Sequence, residues 1–152
     1  MDTAIEQFMG KADLAVGSSY VLLRLEDSDG ACNQAYTAMR HAAVAAILQS
    51  VKPSDETIDL SSDDTVWHAV DMVLVNGGRI SKLDFQAFSD ARDLSERTLA
   101  DSECVDWKQA RSTVRNARDF VQSISMKFNF SRVPGPPDLG RFKRWQNNLE
   151  KD

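Results

Sequence analysis

The sequence predicts an all-α protein: an antiparallel up-down bundle of about five helices, followed by one further short helix. Two observations carry that expectation. Long segments repeat their apolar residues at the helical period, and polar or glycine-containing turns separate them. The alternating apolar–polar runs that mark half-buried strands are scarce throughout. A chain of 152 residues suits a single core, and 42% apolar with 27% charged residues is ordinary for a globular domain.

The first helix is expected over about Thr3 to Leu25, with Ile5, Phe8, Met9, Ala12, Ala15, Val16, Tyr20, Leu22 and Leu23 on its apolar face. Gly10 and Gly17 each weaken it by roughly 1 kcal/mol relative to Ala, which admits a kink or a break into two helices. After a polar turn at 26–30 the second helix runs from about Ala31 to Val51, and Pro53 stops it. It has a smooth stripe, Ala35, Ala38, Ala42 and Ala45, along which another backbone can approach closely. A bulkier stripe, Tyr36, Met39, Ala43 and Ile47, lies beside it.

Residues 52–60 lack a period and read as a loop. Ser61 or Ser62 caps the third helix, whose first turn holds Asp63 and Asp64, where negative charge suits the helix dipole. Val66, Trp67, Val70, Val73 and Leu74 form its apolar face, and Gly77 with Gly78 ends it. Ser81 caps the fourth helix, with Asp84 three residues on as a capping box. Leu83, Phe85, Phe88, Ala91, Leu94 and Leu99 are its expected packing residues. The fifth helix covers about Val105 to Lys127, with Trp107, Ala110, Val114, Ala117, Val121 and Ile124 on one face. Beyond Phe130 the composition changes, so the expected domain is 1–130 and the expected tail is 131–152. The tail opens with a proline-rich linker, 131–137, and continues as a short helix from Leu139 to Asn148 carrying Phe142 and Trp145.

A net charge of −5 argues against a general nucleic-acid coat, because phosphate binding is driven by clustered Lys and Arg. Cys32 and Cys104 fit neither a zinc site nor a disulfide framework, and are expected to be reduced, buried thiols in a cytoplasmic protein. The acidic start at Met1 and Asp2 lacks the layout of a signal peptide, and no apolar run approaches membrane-spanning length. Asp63, Asp64 and His68 sit at helical spacing, but capping explains the aspartates and no metal site or other cofactor is expected. Lys108, Arg111, Arg115 and Arg118 form the best candidate surface for an anion or RNA, the alternative being a solvated helix face balanced by nearby aspartates.

The order Ala35-Tyr36-Thr37-Ala38-Met39-Arg40-His41-Ala42-Ala43 resembles the second helix of HEPN domains, whose usual pattern there is Ala-Tyr-Tyr-Ala-Met-Phe-His-Ala-Ala. Thr37 and Arg40 stand where the family commonly has aromatics. Lys11 with Ala12 is similar to the family's first helix, and Arg97, Ala100 and Asp101 to the Arg-x-x-Ala-Asp of its fourth, with Ser102 in place of the tyrosine. Ala117, Phe120 and Val121 resemble its last helix, so the likeness spans about Lys11 to Ile124.

The resemblance implies a homodimeric interaction module that pairs with a nucleotidyltransferase or with a toxin–antitoxin or defence partner. Many such domains are metal-independent ribonucleases that use an Arg followed, after four to six residues, by a His. The imidazole moves the 2′-hydroxyl proton and the guanidinium holds the phosphate. The two histidines here are His41 and His68, and no arginine precedes either at that spacing. The expected chain is therefore non-catalytic. The alternative is an RNA-cleaving or nucleotide-binding enzyme with an atypical site made of His41, Arg97 and Asp101. Against that, His41 reads as a partly buried histidine whose ring nitrogens bond across the bundle, and Arg97 with Asp101 as a helix ion pair.

Overall fold

Helix α1 (Thr3–Arg24) runs unbroken through both glycines in a computed structural model that describes residues 3–51, 59–100 and 104–130. Its end is a Schellman closure. Asp27 N–H donates to the Leu22 carbonyl (2.9 Å) and Glu26 N–H to that of Leu23 (3.1 Å), with Glu26 itself left-handed at φ 63°. Asp27 then caps α2 (Ser28–Ser50) by accepting from Gly30 N–H at 2.9 Å. That cap moves the start of α2 three residues ahead of the expected Ala31.

Helix α3 (Asp63–Ala69) starts at Ser62, whose hydroxyl accepts from Thr65 N–H. It widens directly into a π-helical stretch, Val70–Val75, which turns Val70 and Leu74 inward and leaves Met72 exposed. The two glycines after it end the helix for different reasons. A Cβ at Gly77 would strike the Val73 carbonyl, and Gly78 is left-handed at φ 70°. Helix α4 (Lys82–Ala100) carries the expected capping box: Asp84 N–H donates to Ser81 Oγ at 3.0 Å, and Ser81 N–H to Asp84 Oδ2 at 3.5 Å. Helix α5 (Trp107–Lys127) is capped by Asp106 and closes on a second Schellman turn, with Asn129 left-handed at φ 52°. All described elements are helical, as the sequence predicts.

Cross-contacts fix the directions of the helices. Phe8 meets His41, so α1 and α2 are antiparallel. Asn33 of α2 meets Ser95 and Thr98 near the end of α4. Lys127 at the end of α5 meets Asp84 at the start of α4. The long helices therefore run up, down, up, down, with α3 and its π-helical extension bridging α2 and α4. Helices α1 and α4 each pack on both α2 and α5, while α2 and α5 also pack on each other across the middle. The section is a rhombus whose short diagonal is α2–α5.

The alanines explain that shape. Ala35, Ala38, Ala42 and Ala45 are all completely buried, as are Ala43 and Ala46, so α2 is enclosed nearly all round. The smooth stripe is therefore filled by this chain's own helices and offers no surface to another molecule. Several packing expectations differ. Leu83 and Leu99 of α4 are 82% and 78% exposed, because the inward stripe of that helix is Phe88, Ala91, Leu94 and Ser95 and the two leucines fall off it. Trp107 is at the surface, under the Arg111 guanidinium at 5.3 Å. Cys104 is exposed, contrary to expectation, because it precedes α5 rather than sitting in it. Cys32 is buried as expected. The tail, 131–152, residues 52–58 of the expected loop and Asp101 lie outside the described residues.

Candidate functional site

The densest polar cluster lies where α2, α3 and α4 meet, and Asp63 is its centre. The capping role of Ser62 sets Asp63 in the first turn of α3, facing the side of α2 that carries Tyr36 and Arg40 one helical turn apart. Tyr36 Oη donates to Asp63 Oδ1 at 2.5 Å and Arg40 Nε to the same oxygen at 3.1 Å. Arg92 Nε, from α4, donates to Oδ2 at 2.9 Å. Arg92 also pairs with Asp64 and, at 3.4 Å, with Glu96. Arg40 reaches further to the carbonyls of Leu60 (3.1 Å) and Ser61 (3.2 Å) and so holds down the entry to α3.

Each group's ionisation follows from these neighbours. Partial burial pushes the Asp63 carboxyl up, but hydrogen bonds from Tyr36 and Arg92 and the two guanidinium charges outweigh it and hold it below its ordinary range. Burial, then the bond to Asp63, pushes the Tyr36 phenol well above its ordinary value, and it stays a neutral donor. Around the cluster stand aromatic rings. Tyr36 lies 5.6 Å from Phe88, which stacks on Phe120 of α5 at 5.8 Å. Trp67 lies 5.3 Å from Phe85 and donates from Nε1 to Ser89 Oγ at 3.0 Å, with Arg92 over its ring. Both oxygens of Asp63 are engaged by side chains from α2 and α4, so the cluster ties three helices together.

His41 lies elsewhere, half-buried against Phe8 of α1 with ring centroids 5.9 Å apart. Its Nδ1 is buried and has no hydrogen-bond partner, which corrects the expectation that both ring nitrogens bond across the bundle. Burial, then the charges of Lys11 and Arg40, lowers its pKa and favours the neutral ring. Arg97 is exposed on the other flank and lines a half-open groove of about 280 Å³ between α4 and α5. His41 thus lies at the α1–α2 contact and Arg97 at the α4–α5 contact, on opposite edges of the rhombus. The third member of the trio, Asp101, falls outside the described residues.

The basic stripe on α5 is partly engaged. Arg111 covers Trp107, and Arg118 bonds both Asp119 (3.2 Å) and the Tyr20 hydroxyl of α1 (3.2 Å). Lys108 is exposed and Arg115 half-buried. His68 is exposed beside Trp67, and no group of three or more His, Cys, Asp or Glu is placed to hold a metal among the described residues. No described helix is long and apolar enough to cross a membrane. Sequence reasoning missed Arg40 and Arg92 as a pair. The available signal was Arg40 itself, a charge on the buried helix at a position where the resembled family carries an aromatic ring. No protein-family model matches this chain, and no curated protein matches it either.

Proposed function

We propose that this chain is a HEPN-like interaction module, a cytoplasmic homodimer that pairs with a nucleotidyltransferase or with a toxin–antitoxin or defence partner and performs no catalytic step itself. The observation that carries this reading is the separation of His41 and Arg97 onto opposite flanks of the bundle. The arginine–carboxylate cluster around Asp63 is internally satisfied, which supports a structural role for it. The outer face of α1 supports contact with a second copy. Leu14 and Val21 are exposed there seven residues apart, the spacing of a helix-pairing seam, and exposed Leu25 follows directly after the helix.

Light scattering tests the dimer: the expected mass is about twice the 16.9 kDa of one chain. Leu14→Glu with Val21→Glu converts it to a monomer without loss of helicity, and a monomeric natural chain at high micromolar concentration refutes it. Incubation with mixed single-stranded and transfer RNAs tests the absence of catalysis, and intact RNA is expected. Cleavage that disappears in both His41→Ala and Arg97→Ala, with their folds intact, would replace this reading with the enzyme alternative.

A further inference from the structure

The groove between α4 and α5 has two unlike rims. Asp90, Asp93 and Arg97 stand on the α4 side, and Gln109, Ser112 and Asn116 on the α5 side. All six are exposed, above a floor that includes the buried Ala91 and Leu94. Because α4 and α5 are antiparallel, Arg97 and Gln109 lie towards one end of the groove and Asp90 and Asn116 towards the other.

These polar groups are almost unpaired. Asp90 accepts from Gln86 Nε2 at 2.8 Å. Among the described residues, the side chains of Asp93, Arg97, Gln109, Ser112 and Asn116 form no hydrogen bond or ion pair. Asp93 and Arg97 even stand at the i, i+4 spacing of a helix ion pair and are not joined. Elsewhere the bundle ties its arginines down: Arg40, Arg92 and Arg118 each hold a carboxylate.

Charges of opposite sign at the two ends select the ligand. A phosphate that met Arg97 would also face two aspartates, and a simple cation that met the aspartates would face Arg97. A sugar would leave all three charges unused and would find no aromatic ring among the lining residues to stack on. A molecule with an ammonium at one end and a carboxylate at the other satisfies both ends. The spacing sets its length. Along α4 the rise from Asp93 to Arg97 is about 6 Å and from Asp90 to Arg97 about 10 Å. The ammonium and the carboxyl carbon of a free amino acid are only about 2.5 Å apart, and each further residue adds about 3.5 Å. A dipeptide therefore fits the shorter span and a tripeptide the longer. The carboxamides of Gln109 and Asn116 each offer a donor and an acceptor, the two groups that a peptide bond needs. A volume of about 280 Å³ is at the small end for ligand sites and restricts the side chains to small ones.

We propose that the α4–α5 groove binds a free di- or tripeptide with small side chains. Arg97 takes the carboxylate, Asp93 or Asp90 takes the ammonium according to length, and Gln109 and Asn116 take the backbone amides. The site goes beyond the function proposed above and does not depend on it, since it lies on α4 and α5 and not on the Leu14–Val21 face of α1.

Amide NMR spectra of the full chain, titrated with dialanine and trialanine, test it. Both peptides are expected to shift the amides of 90–97 and 109–116 saturably and to leave those of α1 in place. Amidating the peptide carboxylate or acetylating its amine weakens binding about fivefold, the upper range for a solvent-exposed charge pair. Arg97→Gln weakens the free peptide about fivefold and removes the effect of amidation. Asp90→Asn with Asp93→Asn does the same for acetylation. All three residues are exposed, so the variants keep the natural spectrum outside the groove. Three results overturn the proposal. One is the absence of saturable shifts with either peptide at millimolar concentration, and another is binding that neither terminal block weakens. The third is alanine or inorganic phosphate shifting the same amides as strongly as dialanine does.

Discussion

The contact among α1, α2 and α5 is rich in fully buried alanines, whereas that among α2, α3 and α4 is built from charges, a phenol and large rings. On the first side Ala12, Ala35, Ala38, Ala42, Ala45, Ala110 and Ala117 have no exposed surface, and backbones pack at short range. On the second, one carboxylate takes bonds from three side chains on two helices, and Trp67, Phe85 and Phe88 fill the space around it. The difference follows from length. Helix α3 and its π-helical extension together run only from Asp63 to Val75 and bury less apolar surface than the long helices do. Directional bonds from α2 and α4 supply what packing area does not.

Enlarging a side chain on the alanine-rich side breaks the comparison most severely. Ala42→Leu adds volume where nothing can yield, and a loss of about 3 kcal/mol is expected from urea unfolding. If the loss is within about 0.5 kcal/mol, the ordinary range for a surface change, the close α2–α5 approach is not the dominant constraint. Removing the polar centre comes next. Asp63→Ala takes the shared acceptor from two guanidinium groups and a phenol, and because the site is partly open to solvent a loss of about 2 kcal/mol is expected. Proteolysis should then cut first around residues 59–62, which Arg40 no longer fixes through the cluster. Equal sensitivity along the whole chain would show that the cluster does not act locally.

The smallest effect is acid sensitivity on the alanine-rich side. The folded His41 pKa lies below its unfolded value of about 6.5, so the unfolded chain binds the proton more readily. Stability contributed by the neutral ring is complete above about pH 6.5 and is lost as pH falls through the lower folded pKa. His41→Phe should flatten the fall in Tm as pH drops below about 6.5. An unchanged slope would mean that other groups produce it. Asp63 acts in the same direction but lower, since its folded pKa is depressed below the ordinary carboxylate range and its contribution is lost only on stronger acidification.

Much of this fold is legible in the order of its residues. The span of α1, a serine cap on α3, the reciprocal Ser81–Asp84 box and the two-glycine stop all follow from local rules. Those rules depend on neighbours within about one helical turn, and the chain itself supplies that spacing. The candidate site is far less legible. Periodicity puts Leu83 and Leu99 in the core, but which sector of an amphipathic helix is covered depends on the helices beside it.

The sequence by itself determined that the chain is helical and, to within three residues at the start of α2, where its long helices begin and end. Only the tertiary structure decided that Arg40, Asp63 and Arg92 share one cluster while His41 and Arg97 stand on opposite flanks. The members of that cluster are separated by 23 and 29 residues, and their meeting depends on the path of the chain between them. Charge pairing across such distances carries no periodic signature, because any arginine on a helix surface has several aspartates within reach until the packing of the helices selects one.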